Sequence, residues 1–277
     1  MPSYDAGDGR RLSYLDAGPR DRPAGRPLVL LHGWGCDGGL FEGQLAALSG
    51  RRRVIAPDLR GHRHSWRAGD APDIGLLADD LQALLAQLDG PAPVVLGWSM
   101  GALVAFELLR RRGSGALGGL VVLDMTPRVA NDTDWKLGLL GGYRQSQAEK
   151  AAATIRAHWD YWVETFLPSV FAAGRAPDPA LLERVGASMR GCDPAAMAAL
   201  WRAISAADYR AILPSLDLPT LILRGAGSQL YGPETAEWLA GTIPGAELSV
   251  IERAGHAPHL EQPAAFDARL AAFLERL

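Results

Sequence analysis

Short apolar runs, each closed by a turn, recur along the chain at 28–31, 54–56, 94–96, 120–123, 221–223 and 248–251. Runs of Val, Ile and Leu this short and continuous suit strands covered on both faces. Helical patterns at 74–88, 100–112, 233–242 and 263–277 lie between them. Strand alternating with helix requires crossover connections, and so a mostly parallel sheet flanked by helices. The fold class is α/β. Ahead of the first run, an Asp8-Gly9 turn between two short segments at 4–17 predicts a hairpin.

The alternation lapses between about 128 and 213. That stretch has no strand-like run, only helix-like segments rich in Ala, Leu and Trp at 134–140, 147–166, 179–189 and 195–204. The expected organisation is a core of 1–127 and 214–277 with a helical cap, 128–213, inserted after the sixth strand of the sheet. Ligands of open α/β sheets bind at the carboxyl edge of the strands, so the cap is expected to act as a lid there.

Composition excludes several classes. A net charge of −3 over 277 residues with scattered basic residues gives no footprint for nucleic acid. The runs Arg51-Arg52-Arg53 and Arg110-Arg111-Arg112 are expected to be solvated surface. No apolar run approaches the roughly 18 residues that span a bilayer. The N-terminal stretch lacks the charged and apolar regions of a signal peptide. Cys36 and Cys192 have no metal-ligand spacing and suit a reducing compartment. A soluble, cytoplasmic protein acting on a small molecule is the expectation, with oligomeric state open.

Chemistry concentrates in three places. Residues 93–101 read P-V-V-L-G-W-S-M-G, so Gly97, Ser99 and Gly101 fit G-x-S-x-G between a strand and a helix. In that context the serine occupies a strained turn that lifts its hydroxyl above the sheet edge. A plain structural turn is the rival reading. His32-Gly33-Trp34-Gly35 closes the first long run. An acyl-transfer site needs two amides aimed at a developing oxyanion, and those of Trp34 and Met100 are the candidates. After the last strand comes A-G-H-A-P-H, where His256 is the candidate base and His259 its competitor.

These residues, with the terminal G-H-x-P-x-x-E-x-P, resemble the α/β-hydrolase superfamily over nearly the whole chain. Within it they are similar to small capped carboxylesterases, pimeloyl-carrier-protein methyl ester esterases among them, and to lactonases. The resemblance implies an eight-stranded sheet, a four-helix cap, a serine nucleophile working through an acyl-enzyme, and no metal or organic cofactor. It also implies an acid in the loop after the strand at 220–224, and there the chain departs from pattern. The expected position holds Ser228, and the loop carries no carboxylate before Glu234.

Asp124, ending the run at 120–123, is the candidate replacement, since haloalkane dehalogenases and certain lipases carry their acid at that location. Its rival role is to cap the first cap turn or pair with Arg128. Asp58, in A-P-D-L-R-G-H, is a weaker contender that is usually structural in this family. Arg63 stands there where glycine is common, and contact with an acidic substrate is one reading of it.

The expected activity is cleavage of a carboxylic ester, lactone or thioester of a small or medium apolar acyl group. Ser99 would be the nucleophile, His256 the base and Asp124 the acid, with Trp34 and Met100 forming the oxyanion hole. Acyl transfer and carbon–carbon bond hydrolysis would use the same residues. A non-catalytic binding protein is the alternative of another kind, favoured by Ser228 alone. Trp135, Trp159, Trp162 and Trp201 are candidates to line an acyl pocket, or else core.

Overall fold

The computed structural model describes residues 1–19 and 25–277. Residues 20–24, inside the expected core segment 1–127, lie outside the described residues. Eight strands form one sheet: β1 (Ser3–Asp5), β2 (Arg11–Ala17), β3 (Leu28–Leu31), β4 (Val54–Pro57), β5 (Val94–Trp98), β6 (Gly119–Leu123), β7 (Thr220–Gly225) and β8 (Glu247–Ile251). Their order is β1-β2-β4-β3-β5-β6-β7-β8. The hairpin β1–β2 is antiparallel and joins β4 antiparallel, while β4, β3 and β5 to β8 pair in parallel.

Helices supply the crossovers: α1 (Glu42–Leu48), α2 (Ile74–Leu85), α3 (Met100–Arg112), α4 (Ala148–Ala157), α5 (Trp159–Phe166), α6 (Pro179–Arg190), α7 (Pro194–Ala206), α8 (Pro233–Thr242), α9 (Pro258–Glu261) and α10 (Pro263–Leu274). Every residue of β3, β4, β5, β6 and β7 is buried, as expected of strands covered on both sides. Each fully buried Val or Leu among them is worth roughly 1.5–3 kcal/mol.

The strand order reverses at β3. The chain steps outward from β3 to β4, then crosses back over β3 to β5. With right-handed crossovers this puts α1 on one face and α2 on the other. The loops leaving β3 and β5 therefore diverge and open a crevice at the carboxyl edge, the usual ligand position in such a sheet.

Between β6 and β7 the described residues contain helices but no strand. Two expectations there need correction. Residues 134–140 are not helical, because their backbone bonds elsewhere. Leu139 donates to the Val129 carbonyl, Leu140 donates to that of Leu230, and the Asp132 carboxylate takes the amides of Asp134 and Trp135. The segment 147–166 is two helices, not one, broken at His158 with φ −139° and ψ 53°. The arginine runs are also less free than expected. Arg53 pairs with Asp16, and Arg110 and Arg111 both grip Glu107.

Candidate active site

Ser99 lies between the last residue of β5 and the first of α3, with φ 53° and ψ −121°. Side chains rarely tolerate that region, so the turn persists only because its surroundings impose it. The flanking glycines show how tight it is. A Cβ on Gly97 would lie 2.3 Å from the Ala102 amide nitrogen, and one on Gly101 would lie 2.4 Å from the Leu31 carbonyl oxygen. The Ser99 amide is anchored to the Leu123 carbonyl of β6 at 3.0 Å. The hydroxyl is thus held at the N-terminus of a helix, where the dipole favours negative charge.

The loop after β3 packs directly on this serine. A Cβ on Gly33 would sit 3.2 Å from that of Ser99. Two buried histidines fix the loop. His32 Nδ1 is 2.8 Å from the Gly33 carbonyl, while its Nε2 accepts from the Leu59 amide at 2.9 Å. His62 Nε2 accepts from the Gly35 amide at 3.2 Å, and its Nδ1 faces the Arg60 carbonyl. Both rings must be neutral to accept at Nε2, and burial holds both below the ordinary histidine pKa. The Gly35 and Cys36 amides are engaged, whereas those of Trp34 and Met100 meet no acceptor among the described residues. Those two are the amides expected to hold an oxyanion.

His256 follows β8. Its Nδ1 is 2.7 Å from Asp124 Oδ2, and both side chains are buried. A proton on Nδ1 then leaves Nε2 with a free lone pair, the form a base needs. The Trp98 indole donates to the His256 carbonyl at 2.7 Å, so the elbow itself anchors the histidine loop. Glu261 anchors it again, accepting from the amides of Gly255 and Ala172 at 2.6 and 2.9 Å. That bridge joins the loop to the helical insertion.

His259 is excluded as a base by its surroundings. It stacks among Phe41, Trp98 and Phe266, and neither ring nitrogen has a partner. Burial holds its pKa down to about 3.

Asp124 ends β6 with φ 46°, and its amide donates to the Leu223 carbonyl of β7. Its carboxylate faces His256 rather than Arg128, which pairs with Asp132. Ser228 is not idle: its hydroxyl donates to the same Asp124 Oδ2 at 2.7 Å. Asp58 is structural, accepting from the Gly38 amide and meeting His64. Arg63, with φ 40°, turns to Asp37 at 3.1 Å, and Asp37 also receives the Ser188 hydroxyl of α6 at 2.6 Å. This arginine therefore pairs with the carboxylate that receives the insertion's Ser188 and is not among the residues lining the pocket.

Ser99 and His256 open into one pocket of about 530 Å³ of empty space, its mouth included. Its wall is apolar and drawn from core and insertion alike, with Trp34, Met125, Phe166, Met189, Trp201 and Tyr231 prominent. Trp34 is the hub, within 5.1 Å of the Trp201 ring and 5.3 Å of the Trp159 ring. Of the four tryptophans considered, Trp201 lines the pocket, Trp159 and Trp162 back it, and Trp135 packs away against Trp238. Cys36 also lines it, but burial pushes its thiol well up, as it does the Tyr231 phenol. No Asp, Glu, Lys or Arg is among the residues lining the pocket. Among the described residues no group of three or more His, Cys, Asp or Glu is placed to hold a metal, and no helix is long and apolar enough to cross a membrane.

Sequence reasoning passed over His62, Met125, Tyr231 and the Ser228 contact. For His62 the R-G-H turn was a signal. For the others none is visible without the register of β6 against β7.

Residues 28–269 match the alpha/beta hydrolase family. A pimeloyl-[acyl-carrier protein] methyl ester esterase from Aromatoleum aromaticum is 33% identical over 85% of this chain and 93% of its own. Among solved structures, a thermophilic esterase from Thermogutta terrifontis superposes with a TM-score of 0.86 at 27% identity, covering 100% of this chain and 99% of that one. The enol-lactonase from Burkholderia xenovorans LB400 gives 0.83 at 25%, over 98% and 99%. The nucleophile-type elbow, the eight-stranded sheet and these matches agree, and the chain belongs to the alpha/beta hydrolase family, among relatives that are esterases.

Proposed function

We propose that the protein is a serine hydrolase of carboxylic esters with a neutral, apolar acyl group, working through an acyl-enzyme. The observation that carries this is the 2.7 Å contact of His256 Nδ1 with Asp124 Oδ2, in the pocket that holds Ser99. The Ser99 hydroxyl attacks the ester carbonyl while His256 Nε2 takes its proton. The carbonyl oxygen, now negative, is met by the amides of Trp34 and Met100. Collapse expels the alcohol, which takes the proton back from His256. Water then repeats the sequence on the acyl-enzyme, releasing the acid and restoring Ser99. Asp124 keeps the imidazole in the correct tautomer and stabilises its charged form.

The uncharged wall favours an aliphatic or aromatic acyl chain and disfavours a free carboxylate there, which would be desolvated without a partner. The helical insertion, 128–213, acts as the cap, since Phe166, Met189 and Trp201 supply part of that wall. The core would then be 1–127 and 214–277. Ser228, the feature that favoured a non-catalytic reading, is a partner of the acid. Two buried free thiols suit a reducing cytoplasm.

The test is hydrolysis of a p-nitrophenyl ester series. Ser99→Ala should abolish turnover, and Asp124→Asn should cut kcat by about 10⁴ with folding intact. Turnover surviving in Ser99→Ala overturns the nucleophile, and survival in Asp124→Asn overturns the acid.

A further inference from the structure

The geometry assigns Ser228 as the positioning residue for the acid Asp124. The inference rests on the hydrolase reading above. Ser228 Oγ and His256 Nδ1 both lie 2.7 Å from one oxygen, Asp124 Oδ2. A hydroxyl has one proton and two lone pairs. Here the Leu230 and Tyr231 amides, each at 3.4 Å, approach the lone-pair side. The proton is thereby committed to Asp124.

Position 228 is held beside the histidine loop by its own backbone bonds, independently of Asp124. The Ala226 amide donates to Ile251 O, the Gly227 amide to Ala254 O and the Ser228 amide to Gly225 O. Close approach is obligatory there, since a Cβ on Gly225 would lie 2.0 Å from the Gly255 carbonyl oxygen. Asp124 and the 228 loop leave neighbouring strands, paired at Leu123 and Leu223, and converge on one imidazole nitrogen.

Sharing the oxygen has a chemical consequence. The serine draws charge from Oδ2 and so tempers how strongly the carboxylate stabilises an imidazolium. Other titratable groups facing His256 are Tyr231, with rings 5.9 Å apart, His259, neutral above about pH 3, and Glu261, pushed up by burial. Arg224 shares a small cavity with Asp124. Of these, Tyr231 alone touches Ser228, and it does so through its backbone amide rather than its phenol.

Three variants decide the matter: Ser228→Ala, Asp124→Asn, and Asp124→Asn with Ser228→Asp, each assayed as kcat and KM against pH. In Ser228→Ala the unshared carboxylate holds the imidazolium more firmly. The acid limb of the kcat/KM profile should therefore move to higher pH at unchanged KM. The double variant should recover at least about 100-fold over Asp124→Asn, because a carboxylate again meets Nδ1. An unmoved acid limb in Ser228→Ala, or a folded double variant no better than Asp124→Asn, overturns the inference while leaving Asp124 as the acid. Activity retained in Asp124→Asn overturns the hydrolase's acid itself. Should the double variant not fold, the Ser228→Ala profile decides alone.

Discussion

Lowering the pH from 7 to 5.5 should destabilise this protein through its buried histidines. His32, His62 and His259 are each at most 1% exposed, and burial depresses the pKa of all three. His32 and His62 accept hydrogen bonds at Nε2, which a protonated ring cannot do, and their rings are 4.7 Å apart. Neither ring nitrogen of His259 has a polar partner among the described residues. In the unfolded chain each would titrate near 6.5. The folded pKa lies below that, so between the two values the unfolded state binds more protons. The stability these groups confer is complete above about pH 6.5 and is lost as pH falls toward the folded values. A histidine that stays neutral throughout costs about 1.3 kcal/mol between pH 7 and 5.5, so His259 supplies that much and about 4 kcal/mol is the ceiling for the three. Total stability for a domain is about 5–15 kcal/mol, so that loss is a large share of it.

Urea unfolding followed by tryptophan fluorescence measures this directly, with eight tryptophans as reporters. At constant m-value, the slope of ΔG against pH should approach three protons near pH 5.5. His259→Phe, in a cage already built of Phe41, Trp98 and Phe266, should remove one of them. Asp80, Glu261 and Asp267, whose carboxyls burial pushes up, gain stability on acidification, but mainly closer to the carboxylate range. A loss below about 1 kcal/mol by pH 5.5 would refute the reasoning. It would mean that the rings protonate in place and the loop bearing Trp34 rearranges around them.

Gly97→Ala should lower expression and Tm severely, since its Cβ would meet the first turn of α3 at 2.3 Å, and thermal unfolding by circular dichroism checks this. Trp201→Ala, which opens the acyl wall, should move the preferred p-nitrophenyl ester toward longer chains and cost about 3–5 kcal/mol of stability. Arg63→Ala removes one of the ties between Asp37 and the sheet side while sparing Ser188, so amide exchange in α6 should quicken with little change in global stability.

How much of this was legible in the sequence depends on the range of each interaction. The parallel sheet and the elbow were readable because continuous apolar runs, paired glycines and helical periodicity are local consequences of burial and sterics. Ser99, Trp34, Met100 and His256 stand out as candidates from the same local signals, and the structure brings the four together around one pocket. The segment 134–140 misled because its pattern is helical while its carbonyls and amides are claimed by Val129, Leu230 and Asp132. Local propensity is weak where tertiary partners are that close. Arg63 misled in a different way, since its unusual backbone marks a place of consequence without saying which neighbour it serves.

The acid illustrates the boundary most sharply. From composition alone, a serine in the expected loop reads as a loss. Under the proposed mechanism, sheet order makes it a displacement: β6 lies between β5, which leads into Ser99, and β7, which leads into the 228 loop, with β8 and His256 beyond. An imidazole arriving from β8 passes over the end of β7 to reach Ser99 beyond β5, so the ends of both β6 and β7 lie along its path. One carboxylate on that path is enough, and a second aimed at the same imidazole nitrogen would repel it. Ser228, a neutral donor to the Asp124 oxygen that His256 meets, is compatible with a carboxylate after β6, so the two positions are read as a pair rather than singly.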